Sequence, residues 1–166
     1  MANPYLKDDA PGGGVDPATA AEAVCARHGN DPAALLEILH ELQHDIGCTP
    51  QAALPAIANA LNISRAEVHG VVSFYHDFHE TPGGRITVKI CRAEACQSMG
   101  ALKLIEAICR RNGIALGETS ADKRITIEPV YCLGNCALSP AAMVNGRLHG
   151  RLDETRLQAA IDGAAT

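Results

Sequence analysis

Apolar residues recur with a helical period through the first half of the chain and with an alternating period beyond it, and this change divides the sequence. Leu35, Leu36, Leu39, Leu42 and Ile46 form one stripe at helical spacing, and Leu54, Ile57 and Leu61 form a second. Helix starts precede them. Asp16-Pro17, Asp31-Pro32 and Thr49-Pro50 each set a capping side chain before a proline at the first helical position. Ser64-Arg65-Ala66-Glu67 has capping-box form, in which two side chains satisfy each other's free backbone N–H groups. Stops fall at Gly29, Gly47 and near Asn62, so a small helical bundle is expected over residues 16–80. Residues 1–15, with Gly12-Gly13-Gly14, read as a flexible leader, because they lack the Gly-Lys-Ser/Thr that a phosphate loop requires.

Thr81-Pro82-Gly83-Gly84 punctuates the chain, and the pattern changes after it. Ile86, Val88 and Ile90 alternate with polar residues as a strand that runs into Cys91. A helix is expected from about Ser98 to Arg111, with Leu102, Ile105 and Ile108 inward and Asn112-Gly113 as its stop. Ile125, Ile127 and Val130 mark a second strand, which leads to Cys132. Asn145-Gly146 between Ala142–Val144 and Leu148–His149 signals a tight hairpin, and Asp153 caps a last helix ending near Asp162. The order strand, helix, strand, hairpin, helix predicts a small sheet with helices packed on it over residues 85–166, and an α+β chain overall.

Charge and composition narrow the function. A net charge of −5 and 3% aromatic residues leave neither the basic surplus nor the stacking rings that nucleic-acid binding needs. No window approaches the roughly 20 apolar residues that span a bilayer, and the first residues lack the basic start and apolar stretch of a secretory signal. The chain is therefore expected to be cytoplasmic, without membrane insertion. In that compartment seven cysteines point to metal, redox or buried apolar roles, since an odd count suits a disulfide framework poorly.

Four of them form a constellation: Cys91-x4-Cys96 and Cys132-x3-Cys136, each pair directly after an expected strand. Neighbouring strands deliver their end loops to one edge of a sheet, where two such loops can surround one centre. Four thiolates are what a [2Fe-2S] cluster requires, two for each iron. Backbone N–H groups at Ala95, Gly100, Gly134 and Ala137, and the start of the helix after Cys96, are the donors expected to face its negative charge. A structural zinc site, which would make the chain a zinc-stabilised interaction module, more often uses Cys-x2-Cys knuckles. A thioredoxin-type dithiol needs Cys-x-x-Cys, which is absent. Cys25, Cys48 and Cys109 are isolated and read as buried apolar residues.

His40-Glu41-Leu42-Gln43-His44 has the form of a zinc-protease helix, with two histidines one turn apart and a glutamate as base. A catalytic zinc wants a third protein ligand, and no Gly-x-x-His follows to supply one. The other histidines show no ligand spacing, so surface or hydrogen-bonded roles are expected for them.

From about Leu35 to Ile161 the chain resembles the thioredoxin-like [2Fe-2S] subunit of NADH:quinone oxidoreductase (complex I) and its relatives in NAD-linked hydrogenases and formate dehydrogenases. The resemblance is carried by His40 to Gly47, Glu67 to Tyr75, the loop from Cys91 to Gly100, and Cys132-Leu133-Gly134-Asn135-Cys136 running on to Pro140 and Met143-Val144-Asn145. It implies a thioredoxin-like second domain and places the four ligands on Cys91, Cys96, Cys132 and Cys136. The family's usual Cys-x-Gly-Thr-x-Cys is here Cys91-Arg92-Ala93-Glu94-Ala95-Cys96, which looks most similar to the gamma subunit of molybdenum-dependent, NAD-reducing formate dehydrogenase. This likeness implies a non-catalytic electron-transfer subunit without a substrate site of its own. It also implies a flavin partner bearing FMN, NAD and further iron-sulfur clusters, met through the helical lobe and the cluster edge, and a separate subunit holding the molybdenum cofactor.

Overall fold

Helix starts and stops act locally, and the computed structural model, which describes residues 16–165, places most of them near the expected positions. The leader expected over residues 1–15 lies outside the described residues. Two compact units result, the first ending at Pro82 and the second beginning at Gly83.

The first unit holds α1 (Pro17–Arg27), α2 (Leu35–Ile46), α3 (Leu54–Leu61) and α4 (Arg65–Phe74). Asp16 caps α1 by accepting the Thr19 N–H, and Ser64 and Glu67 complete their capping box on α4. Two expected starts are displaced. Asp31 caps a 3-10 turn over Pro32–Ala34, and α2 follows at Leu35. Thr49 does not cap: it is fully buried, its hydroxyl is directed at Gln43 Oε1 at 3.5 Å and its N–H donates to the His79 carbonyl at 2.6 Å, and α3 begins only at Leu54, after a second 3-10 turn. On α2 the buried face is Ile38, Leu39 and Leu42, while Leu36 is 37% exposed. Ile38 stands three residues after Leu35 and four before Leu42, whereas Leu36 is a hundred degrees round the helix from Leu35. These residues join Val24, Leu54, Ile57, Leu61 and Val68 in one core.

In the second unit, β1 (Ile86–Cys91) lies between β2 (Ile125–Val130), which is parallel to it, and β3 (Ala142–Val144), which is antiparallel. The sheet order is β2-β1-β3-β4, with β4 (Arg147–His149) at the edge. Asn145 and Gly146 both take positive φ, 45° and 77°, as the two-residue β3–β4 hairpin demands. The helix expected from about Ser98 to Arg111 is α6 (Ala101–Asn112), and an additional short helix, α5 (Glu94–Ser98), precedes it across Gly100 at φ 90°. On α6 Ala101, Leu104, Ile105 and Ile108 face inward, and Leu102, a hundred degrees round the helix from Ala101, is 42% exposed. A final helix, α7 (Glu154–Gly163), is capped by Asp153. Its Leu157 and Ile161 pack with Ile105 and Ile108 of α6 and with the inward residues of β1 and β2. The second unit is thus a sheet with helices packed on it, and the chain is α+β as expected.

Candidate metal centre

Because β1 separates β2 from β3, the chain leaving β2 at Val130 must pass the carboxyl end of β1 before it can enter β3 at Ala142. Cys91 is the last residue of β1, and Cys132 and Cys136 lie on the crossing segment. Backbone bonds tie the crossing down on both sides. The Cys91 N–H donates to Ala141 O at 3.0 Å, and the Arg92 N–H donates to Val130 O at 2.7 Å. Cys96 returns to the same place on α5, so that Cys91, Cys96, Ala101 and Ala141 form a small buried cluster with Leu133 and Val130 packed on it.

The four sulfurs are unequal in exposure. Cys91 and Cys96 are 2% exposed, whereas Cys132 and Cys136 face solvent with their sulfurs 4.0 Å apart. Burial pushes the Cys91 thiol up, and the adjacent Cys96 adds to this against N–H groups of Ala93 and Leu133. Burial acts in the same sense on Cys96. There hydrogen bonds with the Ser139 hydroxyl, the Ala141 N–H and Cys91 prevail and hold the thiol below its ordinary range. Cys136 is pushed up by its hydrogen bond with Cys132 and by that neighbour's charge, with smaller contributions from Cys96 and Cys91. Each pair therefore lies within electrostatic reach of the other.

The donors around these sulfurs differ from those expected. Gly134 donates its N–H to Cys132 Sγ at 3.3 Å, in line with its assignment. The Gly100 N–H instead closes the end of α5 on Gln97 O, and Ala93, Leu133 and Ala141 supply the other bonds to sulfur. Their side chains carry no polar signature, because the donor is the backbone and only the crossing geometry aims it. Ser139 was also missed, although a serine three residues after Cys136 has the spacing for a local hydroxyl-to-carbonyl bond. It makes that bond, donating to Cys136 O at 2.7 Å, and sits 3.5 Å from Cys96 Sγ. The N-terminus of α6 abuts the same cluster through fully buried Ala101. Four thiols on two converging turns, with peptide N–H groups directed at them, form a donor set suited to an anionic iron-sulfur group. As they stand, no three of the described His, Cys, Asp or Glu side chains are gathered tightly enough around one point to hold a single ion. The fit to a two-iron group rests on the two turns meeting.

The protease-like segment is occupied by packing. Glu41 accepts from Arg27 and from His28, each at 2.6 Å. Gln43 accepts the His79 N–H at 2.7 Å and donates to Asp77 O at 2.5 Å, clamping the 77–79 loop to α2. The His40 ring lies 4.9 Å from that of Phe78. Cys25 and Cys48 are buried, and Cys109 packs half-buried against the second core, as isolated apolar residues do.

Comparison with known sequences gives the class: residues 21–165 match the thioredoxin-like [2Fe-2S] ferredoxin family, and the chain belongs to it. Membership implies one [2Fe-2S] cluster. Among individual proteins, a subunit of the NADH-quinone oxidoreductase of Pseudomonas aeruginosa is 40% identical over 124 residues, 74% of this chain and 75% of that protein. NADP-reducing hydrogenase subunit HndA of Solidesulfovibrio fructosivorans is 33% identical over 118 residues, 71% of this chain and 69% of that one. Among solved structures, an NAD+-reducing [NiFe]-hydrogenase in the H2-reduced state superposes with a TM-score of 0.70 at 28% identity. That match covers 81% of this chain but only 22% of the hydrogenase chain. No helix among the described residues is long and apolar enough to cross a membrane.

Proposed function

We propose that this chain is an electron-transfer subunit of an NAD-linked oxidoreductase complex, holding its [2Fe-2S] cluster on Cys91, Cys96, Cys132 and Cys136. The observation that carries the reading is the crossing of β2 to β3 over the end of β1, which brings both cysteine pairs to one edge of the sheet. When bound, the cluster supplies a one-electron store, which suits a partner that gives up two electrons from a reduced flavin. Cys91 and Cys96 hold the inner side and keep water from it, while Cys132 and Cys136 hold the side open to solvent. The N–H groups of Ala93, Leu133, Gly134 and Ala141 offset the negative charge that the thiolates bring.

The finer reading is the gamma subunit of a molybdenum-dependent, NAD-reducing formate dehydrogenase in the cytoplasm. It is supported by the segment Cys91-Arg92-Ala93-Glu94-Ala95-Cys96-Gln97-Ser98-Met99-Gly100 and by Cys132-Leu133-Gly134-Asn135-Cys136-Ala137-Leu138-Ser139-Pro140. Its partners would be a flavin subunit carrying FMN, NAD and further clusters, reached through the helical unit and the cluster edge, and a molybdenum subunit. The equivalent subunit of a quinone- or hydrogen-linked complex would serve a complex with a different terminal substrate. Copurification with native partners, followed by NAD reduction assays with formate, hydrogen and quinol, distinguishes them. Iron and acid-labile sulfide in equal amounts, with a reduced [2Fe-2S] paramagnetic signal, are the expected result for the chain. A colourless protein holding zinc would sink the assignment and leave an interaction module.

A further inference from the structure

We propose that Ser139 tunes the reduction potential of the centre by switching its single hydroxyl proton between the Cys136 carbonyl oxygen and the Cys96 sulfur. The inference rests on the reading above in one respect, that Cys96 binds iron.

With the thiol protonated, Cys96 donates to Ser139 Oγ across 3.5 Å while Ser139 donates to Cys136 O across 2.7 Å. A hydroxyl has one proton and two lone pairs, so it serves both neighbours at once only while the sulfur supplies a proton of its own. A sulfur bound to iron has none. The contact then survives as a hydrogen bond only when Ser139 turns its proton toward the sulfur and gives up the carbonyl. Two acceptors compete for one donor. The carbonyl is neutral in both oxidation states, whereas each added electron makes the sulfur side more negative. Hydrogen bonds to a charged acceptor are roughly twice as strong as neutral ones, so the balance moves toward Cys96 on reduction. A donor that binds the reduced form more strongly raises the potential.

The surroundings leave the hydroxyl torsion as the free variable. Leu138 O accepts the Arg151 N–H at 2.6 Å and Pro140 O accepts the Leu152 N–H at 3.0 Å, so the backbone is pinned on both sides of Ser139. Cys96 is 2% exposed, so its sulfur meets little water directly, while Ser139 itself is half-buried.

The test is a dye-equilibrated redox titration of the full iron-loaded chain, followed by the paramagnetic signal of the reduced centre. Ser139→Ala is expected to keep the parent's iron and sulfide content and to shift the ratio of oxidised to reduced centre toward oxidised by roughly tenfold, about 59 mV for one electron. Ser139→Thr, which keeps the hydroxyl, is expected to return most of the way to the parent. Ser139→Val repeats the comparison with Thr at nearly constant side-chain volume. A potential unchanged in the Ala and Val variants, or displaced as far in Thr as in Ala, overturns the proposal. So does loss of iron from both hydroxyl-free variants with retention in Thr, because the hydroxyl would then hold the centre rather than tune it. A parent chain lacking the [2Fe-2S] signal refutes the ligand assignment itself and is thereby told apart from these results.

Discussion

A β-carbon added to Gly150 would lie 2.7 Å from the Leu138 β-carbon and 2.8 Å from the Leu138 carbonyl oxygen. Residue 150 is therefore held to glycine by the turn that follows Cys136. The same approach brings the Arg151 N–H to Leu138 O. The chain leaving β4 thus braces the cysteine-bearing crossing from outside.

Gly150→Ala is accordingly expected to displace that crossing. Overpacking of this kind typically costs about 1–3 kcal/mol, because the Leu138 β-carbon and carbonyl oxygen are fixed by the backbone, although the third obstructing atom, Asn135 Nδ2, can turn away. The measurable outcomes are a lower denaturation midpoint and reduced iron retention after gel filtration. A variant with parental stability and iron content would show that the crossing yields easily.

Removal of a single thiol separates the four constellation cysteines from the other three. Cys132→Ser is expected to abolish or strongly alter the reduced [2Fe-2S] signal. Cys109→Ser, in the half-buried position on α6, is expected to leave that signal intact. An unchanged spectrum in the Cys132 variant would remove that residue from the ligand set.

The helical unit carries a titrating support. The His28 hydrogen bond holds the Glu41 carboxyl below its ordinary value of 4.5, and Arg27 adds to this against the opposing pull of burial. A carboxylate depressed in the folded state stabilises above its unfolded pKa, and that contribution is lost as pH falls through the folded value. Glu41→Gln is therefore expected to lower stability near neutrality and to flatten its decline on acidification below about 4.5. The measurement is denaturant unfolding followed across that range; parallel curves for parent and variant would contradict the account. Solvent screening keeps the effect small, since the Glu41 side chain is 34% exposed. A protease base at Glu41 would instead predict a zinc stoichiometry that survives Cys91→Ser, because in that motif the histidines and not the glutamate hold the metal.

Asn145 joins the hairpin to the central strand. Its side-chain oxygen accepts the Thr87 N–H at 2.8 Å, and its own N–H donates to Thr87 O at 2.9 Å, all at a φ of 45°. Asn145→Ala loses the acceptor and keeps the unfavourable φ, so a loss of about 1–3 kcal/mol is expected in equilibrium unfolding. Asn145→Gly relieves the backbone and should separate the two contributions.

Much of this architecture was legible locally. The capping box at Ser64, the stop at Gly113 and the Asn145-Gly146 turn depend on atoms within a few residues of each other, and all three appear where the sequence places them. Misplacements arose where a distant partner took over. Thr49 has a capping side chain, but it is buried with its hydroxyl directed at Gln43 of α2 and its N–H on the His79 carbonyl. Leu102 stands three residues before Ile105, but the buried face of α6 is completed by Ala101 and Leu104, which leaves Leu102 at its exposed margin. The protease-like pentapeptide carries the residues of a metal site, yet Arg27, His28, Asp77 and His79 hold its polar side chains in other bonds.

The order of elements, the cysteine spacings and the family resemblance were readable from the chain alone, because periodicity, capping chemistry and thiol content are written in side-chain identity. Only the tertiary structure decided that β1 lies between β2 and β3, and that order makes the second cysteine pair cross the end of the strand carrying the first. Which peptide N–H groups face the sulfurs, and that Ser139 stands between the two turns, follow from this crossing. Backbone donors are alike at every residue, so no reading of side chains selects among them before the strands are paired.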